Sequence, residues 1–383
     1  MDVVKKVAFP YLLSDTIRKN SDADTVIFFG TDFYNLPKGS DRTLFIQRTN
    51  GMLAYIRKHF SGSRLLYQPH PNETDEYALL DLAGFEVGKK TIADLLLWEE
   101  ASRIAAVFAS CSWAAASAYA MGHRSGVFLD LLKGAIPDEA LTGYRSYFAG
   151  FPDSFFIRSF EQELPPYAPA RNDEERRALA SIENVVGNAK TAWFLSSDPA
   201  YAVQAAIVGK ELKRRGIQIN LLKVRHPRWS ILEGASFYAM FDHIFDVPRQ
   251  WYTARPKNIS ALVRNVIELR RLPIRKGDAL ISFAHTQFAE NCILSWYPEL
   301  KKILMLESRW YHFTYEEEGR TLPRTGFHTS LGTRLFNFVV EPLLRLHRSV
   351  YKEYKDGRVL NINRYQAPLE AIYDGVFVMV PPK

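Results

Sequence analysis

Two short segments hold the residues best suited to chemistry. The first is Leu65-Leu-Tyr-Gln-Pro-His-Pro-Asn-Glu73. Pro69 and Pro71 stiffen the turn and bar helix from the residues before them. His70 is thereby expected at the carboxyl end of a strand, where open α/β sheets bind ligands. An imidazole there can donate to a phosphate oxygen and stabilise it as it leaves. A turn histidine that merely caps a strand end has the same sequence. The second segment is Ile104-Ala-Ala-Val-Phe-Ala-Ser-Cys-Ser-Trp113. It reads as a strand, then Ser110 and Ser112, then a helix start. Hydroxyls and free backbone N–H groups at a helix N-terminus suit an anion, although serine is also an ordinary N-cap. On neighbouring strand ends, the two segments would present a histidine and two hydroxyls to one anion.

The elements that must position them follow from periodicity. Apolar runs alternate with helix-period segments, the pattern of parallel sheets covered by helices. Strands are expected at Thr25–Gly30, Ser63–Gln68, Ile104–Ala109, Val127–Leu132, Lys190–Leu195, Gln218–Val224, Ala279–Ala284 and Lys302–Glu307. Helices are expected at Thr43–Phe60, Thr91–Ser102, Trp113–Met121, Asp173–Val186 and Ala200–Arg215. Glu163–Asn172 is proline-rich and polar, a linker composition. The expected fold is therefore α/β, with two Rossmann-like doubly wound domains and a ligand cleft between them. Residues 1–162 form the first domain, 163–185 a linker and helix, and 186–383 the second domain with a C-terminal helical segment.

Composition narrows the class. The chain has 383 residues, 47% of them hydrophobic, a balance suited to large cores. Two cysteines, Cys111 and Cys292, cannot build a disulfide framework and suit a reducing, cytoplasmic compartment. The N-terminus lacks a signal-peptide pattern. Ile104 to Met121 is uncharged and near spanning length, but its Ala and Ser content reads as a buried strand and a buried helix. The net charge of +7 favours nucleic acid, anionic membrane or acidic small ligands. No nucleic-acid-binding signature accompanies it, so no nucleic-acid partner is expected. The basic residues cluster at Lys210–Arg215, Lys223–Arg228 and Arg270–Lys276.

Tyr67-x-Pro-His-Pro-x-Glu73 and Ser110-x-Ser112 resemble the HP and serine motifs of bacterial sialyltransferases and polysialyltransferases. The succession of elements over Thr25–Gly122 is similar to their donor domain, and enzymes that transfer Kdo from CMP-Kdo share the general design. The resemblance implies a GT-B-like fold and a glycosyltransferase that moves a nonulosonic acid (sialic acid, Kdo or a relative) from its CMP form to a bacterial surface glycan. His70, Pro71, Glu73, Ser110 and Ser112 would then form the CMP-phosphate site. These families also carry an acidic motif that supplies the catalytic base. Glu317-Glu318-Gly319 matches it, with Glu317 as base and Glu316 next. Asp198, after the strand beginning the second half, is the runner-up base or, in a retaining mechanism, a nucleophile. The acidic motif precedes the HP and serine motifs in those families and follows them here, so either the two domains are permuted, with the donor domain first, or the Glu316–Gly319 match is coincidental. One leaving phosphate needs only protein donors, so neither a metal nor another cofactor is expected. Asp22-Ala-Asp24 resembles a metal-binding pair but precedes its strand, at the wrong end of the sheet. Arg225-His226-Pro227-Arg228 is a second His-Pro, read as a basic turn or a site for an anionic acceptor. The expected partners are a CMP-activated sugar, a glycan or lipid-linked glycan acceptor, and the anionic inner face of the cytoplasmic membrane, bound peripherally. Two rival readings are a CMP-sugar-binding, non-catalytic subunit of a capsule or lipopolysaccharide assembly complex, and a UDP-sugar epimerase of the same shape.

Overall fold

Runs such as Thr25–Phe29, with all five side chains buried, read in the sequence as strands covered on both faces, and the structure pairs them in parallel. The computed structural model describes residues 4–8, 23–33, 36–73, 76–166, 172–196, 199–225, 229, 236–247, 259–283, 288–307, 352–355, 358–362 and 372–380. Their contacts divide the chain into two compact units, residues 8–176 and residues 177–380, and the first seven residues belong with the second unit. Strand β1 (Val4–Ala8) accordingly sits at an edge of the second unit's sheet.

The sheet of residues 8–176 contains β2 (Thr25–Phe29), β3 (Arg64–Gln68), β4 (Phe85–Val87), β5 (Ile104–Ala109) and β6 (Ser125–Val127). Its order is β4-β3-β2-β5-β6, and every neighbouring pair is parallel. The chain starts at the centre, steps out through β3 and β4, then crosses back to β5 and β6 on the other side. This is a doubly wound arrangement whose direction reverses between β2 and β5, and such a reversal opens a crevice at the carboxyl ends of the two strands. Helices α1 (Arg42–His59), α2 (Ala93–Glu99) and α3 (Trp113–Met121) make the connections, and α4 (Asp138–Tyr147) follows β6.

α3 shows how the sequence dictates this layout. Ala114 through Met121 are all buried. Small side chains on every face let a helix lie close to the sheet while exposing almost nothing. Ser112 caps its N-terminus by accepting from Ala114 N–H, and Gly122 ends it in the left-handed region at φ 95°. The uncharged stretch from Ile104 to Met121 is thus a buried strand and a buried helix. Among the described residues, no helix is long and apolar enough to cross a membrane.

The second unit repeats the scheme. β7 (Thr191–Ser196), β8 (Gln218–Val224), β9 (His243–Val247), β10 (Ala279–Ser282), β11 (Lys301–Glu307) and β14 (Gly375–Val380) join β1 in the order β1-β14-β11-β10-β7-β8-β9. The five neighbouring pairs from β14 to β9 are parallel. Direction reverses between β7 and β10. Trp193, Leu195, Leu222, Leu280, Leu304 and Val376 belong to one buried cluster of this sheet. Trp193 Nε1 donates to Asp278 Oδ2 at 2.8 Å, satisfying a buried indole. α5 (Asn172–Val186), α6 (Ala202–Arg214), α7 (Ile259–Arg270) and α8 (Phe288–Trp296) flank the strands in sequence, and a small antiparallel pair, β12 (Lys352–Lys355) and β13 (Arg358–Ile362), stands apart.

One expected strand is corrected. Val127–Leu132 is not a strand: pairing ends at Val127, and Leu129–Leu132 turns into a 3-10 helix. Phe128, Leu129 and Leu132 are fully buried, so the apolar run reflects burial rather than extension, an ambiguity that periodicity cannot resolve in short runs.

Candidate functional site

The HP segment is held by a buried carboxyl group. Glu73 is completely enclosed. Its Oε1 accepts from the Tyr67 hydroxyl at 2.8 Å and its Oε2 from the His70 N–H at 2.9 Å. The Glu73 N–H donates to the His70 carbonyl at 2.8 Å, and Lys90 Nζ donates to the Glu73 carbonyl. The turn Pro69–Glu73 is thus tied to β3 at Tyr67 and closed on itself. Tyr67 is fully buried and stacks on Phe28 with centroids 6.1 Å apart. Gly30, at the end of β2, makes room: a Cβ there would lie 2.4 Å from the Tyr67 hydroxyl and 2.8 Å from Glu73 Oε2.

The orientation of the His70 ring follows from a second contact. Its Nδ1 accepts from Asn72 N–H at 3.2 Å. In the neutral ring the proton then resides on Nε2, which makes that nitrogen a donor. Pro71 follows, partly buried.

The serine segment shows the same logic. Ser112 Oγ accepts from Ala114 N–H at 3.3 Å, so its lone pair serves the helix cap and its O–H remains a donor. Ser110 has no exposed surface. Its hydroxyl lies 2.7 Å from the Thr31 hydroxyl, across the point where the sheet reverses. Burial pushes the neighbouring Cys111 thiol up to about 11, against a weaker lowering by the Ser110 hydroxyl. That thiol stays protonated at neutral pH and is no nucleophile.

Three strand ends therefore converge in type. β3 delivers His70, β2 delivers Thr31, and β5 delivers Ser110 and Ser112 at the start of α3. β2 lies between β3 and β5, and adjacent strands are roughly 4.8 Å apart. The outer two ends are then about 10 Å apart, a span that one phosphate and the groups bonded to it can bridge. His70 and Ser112 each accept from a backbone N–H, which engages Nδ1 of the ring and a lone pair of the hydroxyl. An array of donors at a helix N-terminus suits an acceptor-rich, anionic group.

The remaining expected site residues are Glu316, Glu317 and Asp198, all of which lie outside the described residues, as does His226. Asp24 stands at the amino end of β2, where its Oδ1 accepts from the Thr25 hydroxyl at 3.0 Å. Among the described residues, no group of three potential metal ligands forms. The basic clusters are largely paired: Lys213 with Asp242 at 2.8 Å, Lys223 with Asp246 at 3.0 Å and Arg225 with Glu268 at 3.0 Å. Such surface pairs add little stability, but they offset the positive field that the sequence suggests.

Sequence reading missed Gly30, Thr31 and Lys90. A signal for Thr31 existed: it is the first hydroxyl after the first strand of a βαβ series, and that strand becomes the central one.

No protein-family model matches the chain, and no curated protein matches it. Among solved structures, the crystal structure of VinN aligns over 76% of this chain at 13% identity and a TM-score of 0.21. The aligned part spans 65% of that chain. A score that low supports no argument about fold or function, so the fold stands on the strand orders given above.

Proposed function

We propose that the protein is a glycosyltransferase that moves a nonulosonic acid from its CMP form to a glycan acceptor, lipid-linked in the cell. One observation carries the reading: His70, Thr31 and the Ser110–Ser112 segment stand at the carboxyl ends of three adjacent strands, and the donors among them flank a sheet reversal. The likeness of Tyr67–Glu73 and Ser110–Ser112 to the HP and serine motifs supports CMP as the nucleotide.

In the reaction, the bond between the anomeric carbon and the phosphate oxygen breaks, and its electron pair leaves with CMP. His70 Nε2–H and the Ser112 O–H meet the charge that develops on the phosphate. The acceptor oxygen bonds to the anomeric carbon and its proton passes to a carboxylate, Glu317 in this proposal, with Glu316 and Asp198 as the alternatives. Glu73, with both oxygens engaged by Tyr67 and His70, positions the turn.

The test is a thermal-shift series with CMP, UMP, UDP and GDP, followed by transfer assays. CMP is expected to stabilise the protein without added metal, by about 2.7 kcal/mol at a hundred times its dissociation constant. His70→Ala should keep the fold and lose a factor on the order of 10²–10³ in rate. Glu317→Gln should keep the CMP shift and lose transfer. A shift with UDP alone would remove the CMP assignment. A CMP shift with no transfer to any glycan acceptor would leave a binding subunit.

A further inference from the structure

We infer that Thr31 is a ligand-binding residue, the outward member of a two-hydroxyl chain in which Ser110 orients Thr31 and Thr31 donates to the phosphate. The inference rests on the proposed phosphate site and changes which hydroxyl touches the ligand there.

Register places the pair. β2 and β5 run parallel with Phe29 opposite Ala109. Past this pair Gly30 N–H still donates to the Gln68 carbonyl at 2.9 Å, and the Thr31 Oγ1 lies 2.7 Å from Ser110 Oγ. Ser110 has no exposed surface, whereas Thr31 is partly exposed. A ligand in the crevice above β2 and β5 meets Thr31 before it can meet Ser110.

Either hydroxyl can donate across the 2.7 Å contact, and the inferred chain takes Ser110 as the donor. Each hydroxyl has one proton. Ser110 has two acceptors within reach, Thr31 Oγ1 at 2.7 Å and Cys111 Sγ at 3.8 Å. The oxygen is closer and the better acceptor. With Ser110 donating to Thr31, the Thr31 proton is released toward the crevice. An anion there strengthens both bonds, because each donor in a chain is polarised by the bond it accepts. The buried serine thus acts through the threonine. The alternative is a purely structural tie between two strand ends.

Isothermal titration calorimetry with CMP, UDP and inorganic phosphate separates these possibilities, using the full chain and its variants Thr31→Val, Thr31→Ser, Ser110→Ala and the Thr31→Val/Ser110→Ala double. Thr31→Val keeps the shape and removes the donor. It is expected to weaken binding about 10–100-fold, the factor for one lost hydrogen bond to a charged partner. Thr31→Ser should bind within about threefold of wild type. Ser110→Ala should cost less than Thr31→Val, and the double variant should match Thr31→Val, because Ser110 has no route to the ligand once Thr31 is gone. Multiplying effects, or a larger loss from Ser110→Ala, would show direct contact by Ser110 and overturn the inference. So would unchanged affinity in Thr31→Val with a lowered melting temperature, the mark of a structural tie. If UDP rather than CMP binds and Thr31→Val weakens it, the role of Thr31 stands and the CMP assignment falls. If none of the three probes binds wild type, both fall.

Discussion

Gly30→Ala tests whether the HP turn is held from the neighbouring strand. The backbone of Gly30 is outside the left-handed region, so an alanine meets no conformational penalty there and the effect is one of space alone. The new Cβ would stand 2.4 Å from the Tyr67 hydroxyl, 2.8 Å from Tyr67 Cζ and 2.8 Å from Glu73 Oε2. Neither neighbour gives way cheaply. Tyr67 is fully buried and stacked on Phe28, and Glu73 is enclosed and bound to both Tyr67 and His70. Overpacking of this kind costs about 1–3 kcal/mol. Breaking a hydrogen bond to the buried carboxyl adds roughly 1.5–3 kcal/mol. A total of about 2.5–6 kcal/mol is expected in urea denaturation at pH 7, at unchanged slope. Because Glu73 holds His70, the folded variant should also bind CMP more weakly. Tyr67→Phe removes the atom in closest conflict, so the double variant should lose less stability than the two single losses combined. A Gly30→Ala protein within about 0.5 kcal/mol of wild type, with unchanged CMP affinity, would refute the reasoning.

Two further predictions concern buried groups. His123 is fully buried, and desolvation holds its pKa down at about 4 despite the Leu97 and Ile104 carbonyls beside it. The unfolded chain takes up that proton near 6.5, so stability is intact above about 6.5 and falls as the pH drops toward 4, by roughly 1.4 kcal/mol per unit. Between pH 7 and pH 5, wild type should therefore lose about 2 kcal/mol more than His123→Leu; equal losses in urea titrations would sink this. Cys111, raised to about 11, should be alkylated by iodoacetamide at pH 8 with a thiolate fraction of about one in a thousand. Labelling of native protein at the rate of a free thiol would contradict it.

Much of the fold was legible because its signals are local. Ile104–Ala109, Trp113–Met121 and Gln218–Val224 appear with the bounds that their apolar runs and caps imply. What escaped were strands too short or too mixed to announce themselves. β4 is three residues with two exposed, and β9 buries only Val247 fully. β1 finds its sheet through β14, nearly the whole chain away, and no local pattern encodes such a pairing. The site divides the same way. His70, Ser110 and Ser112 were visible because prolines and a helix cap mark them. Thr31 was passed over although it follows β2 directly, because its place beside Ser110 depends on β2 lying next to β5, a matter of strand order. Glu73 was read as part of the phosphate site on its motif position, and only the contacts of its two oxygens reveal it as the anchor of the turn.

The chemistry of these residues separates binding from turnover. In the proposed reaction His70 and Ser112 give protons to the ligand, as Thr31 does in the inferred chain, and none of the three is assigned the proton of the attacking hydroxyl. Glu73 has both oxygens engaged and no exposed surface, so it cannot serve as the base without dismantling the turn that aims His70. Under the proposed function, the residues of the first sheet would hold and stabilise the anionic leaving group, half of a transfer reaction. The other half needs a carboxylate that reaches the acceptor, which is why Glu317, and after it Glu316 and Asp198, decides between a transferase and a binding subunit. A loss of transfer in Glu317→Gln with the CMP shift retained would divide the two tasks between separate residues, as the proposed function expects.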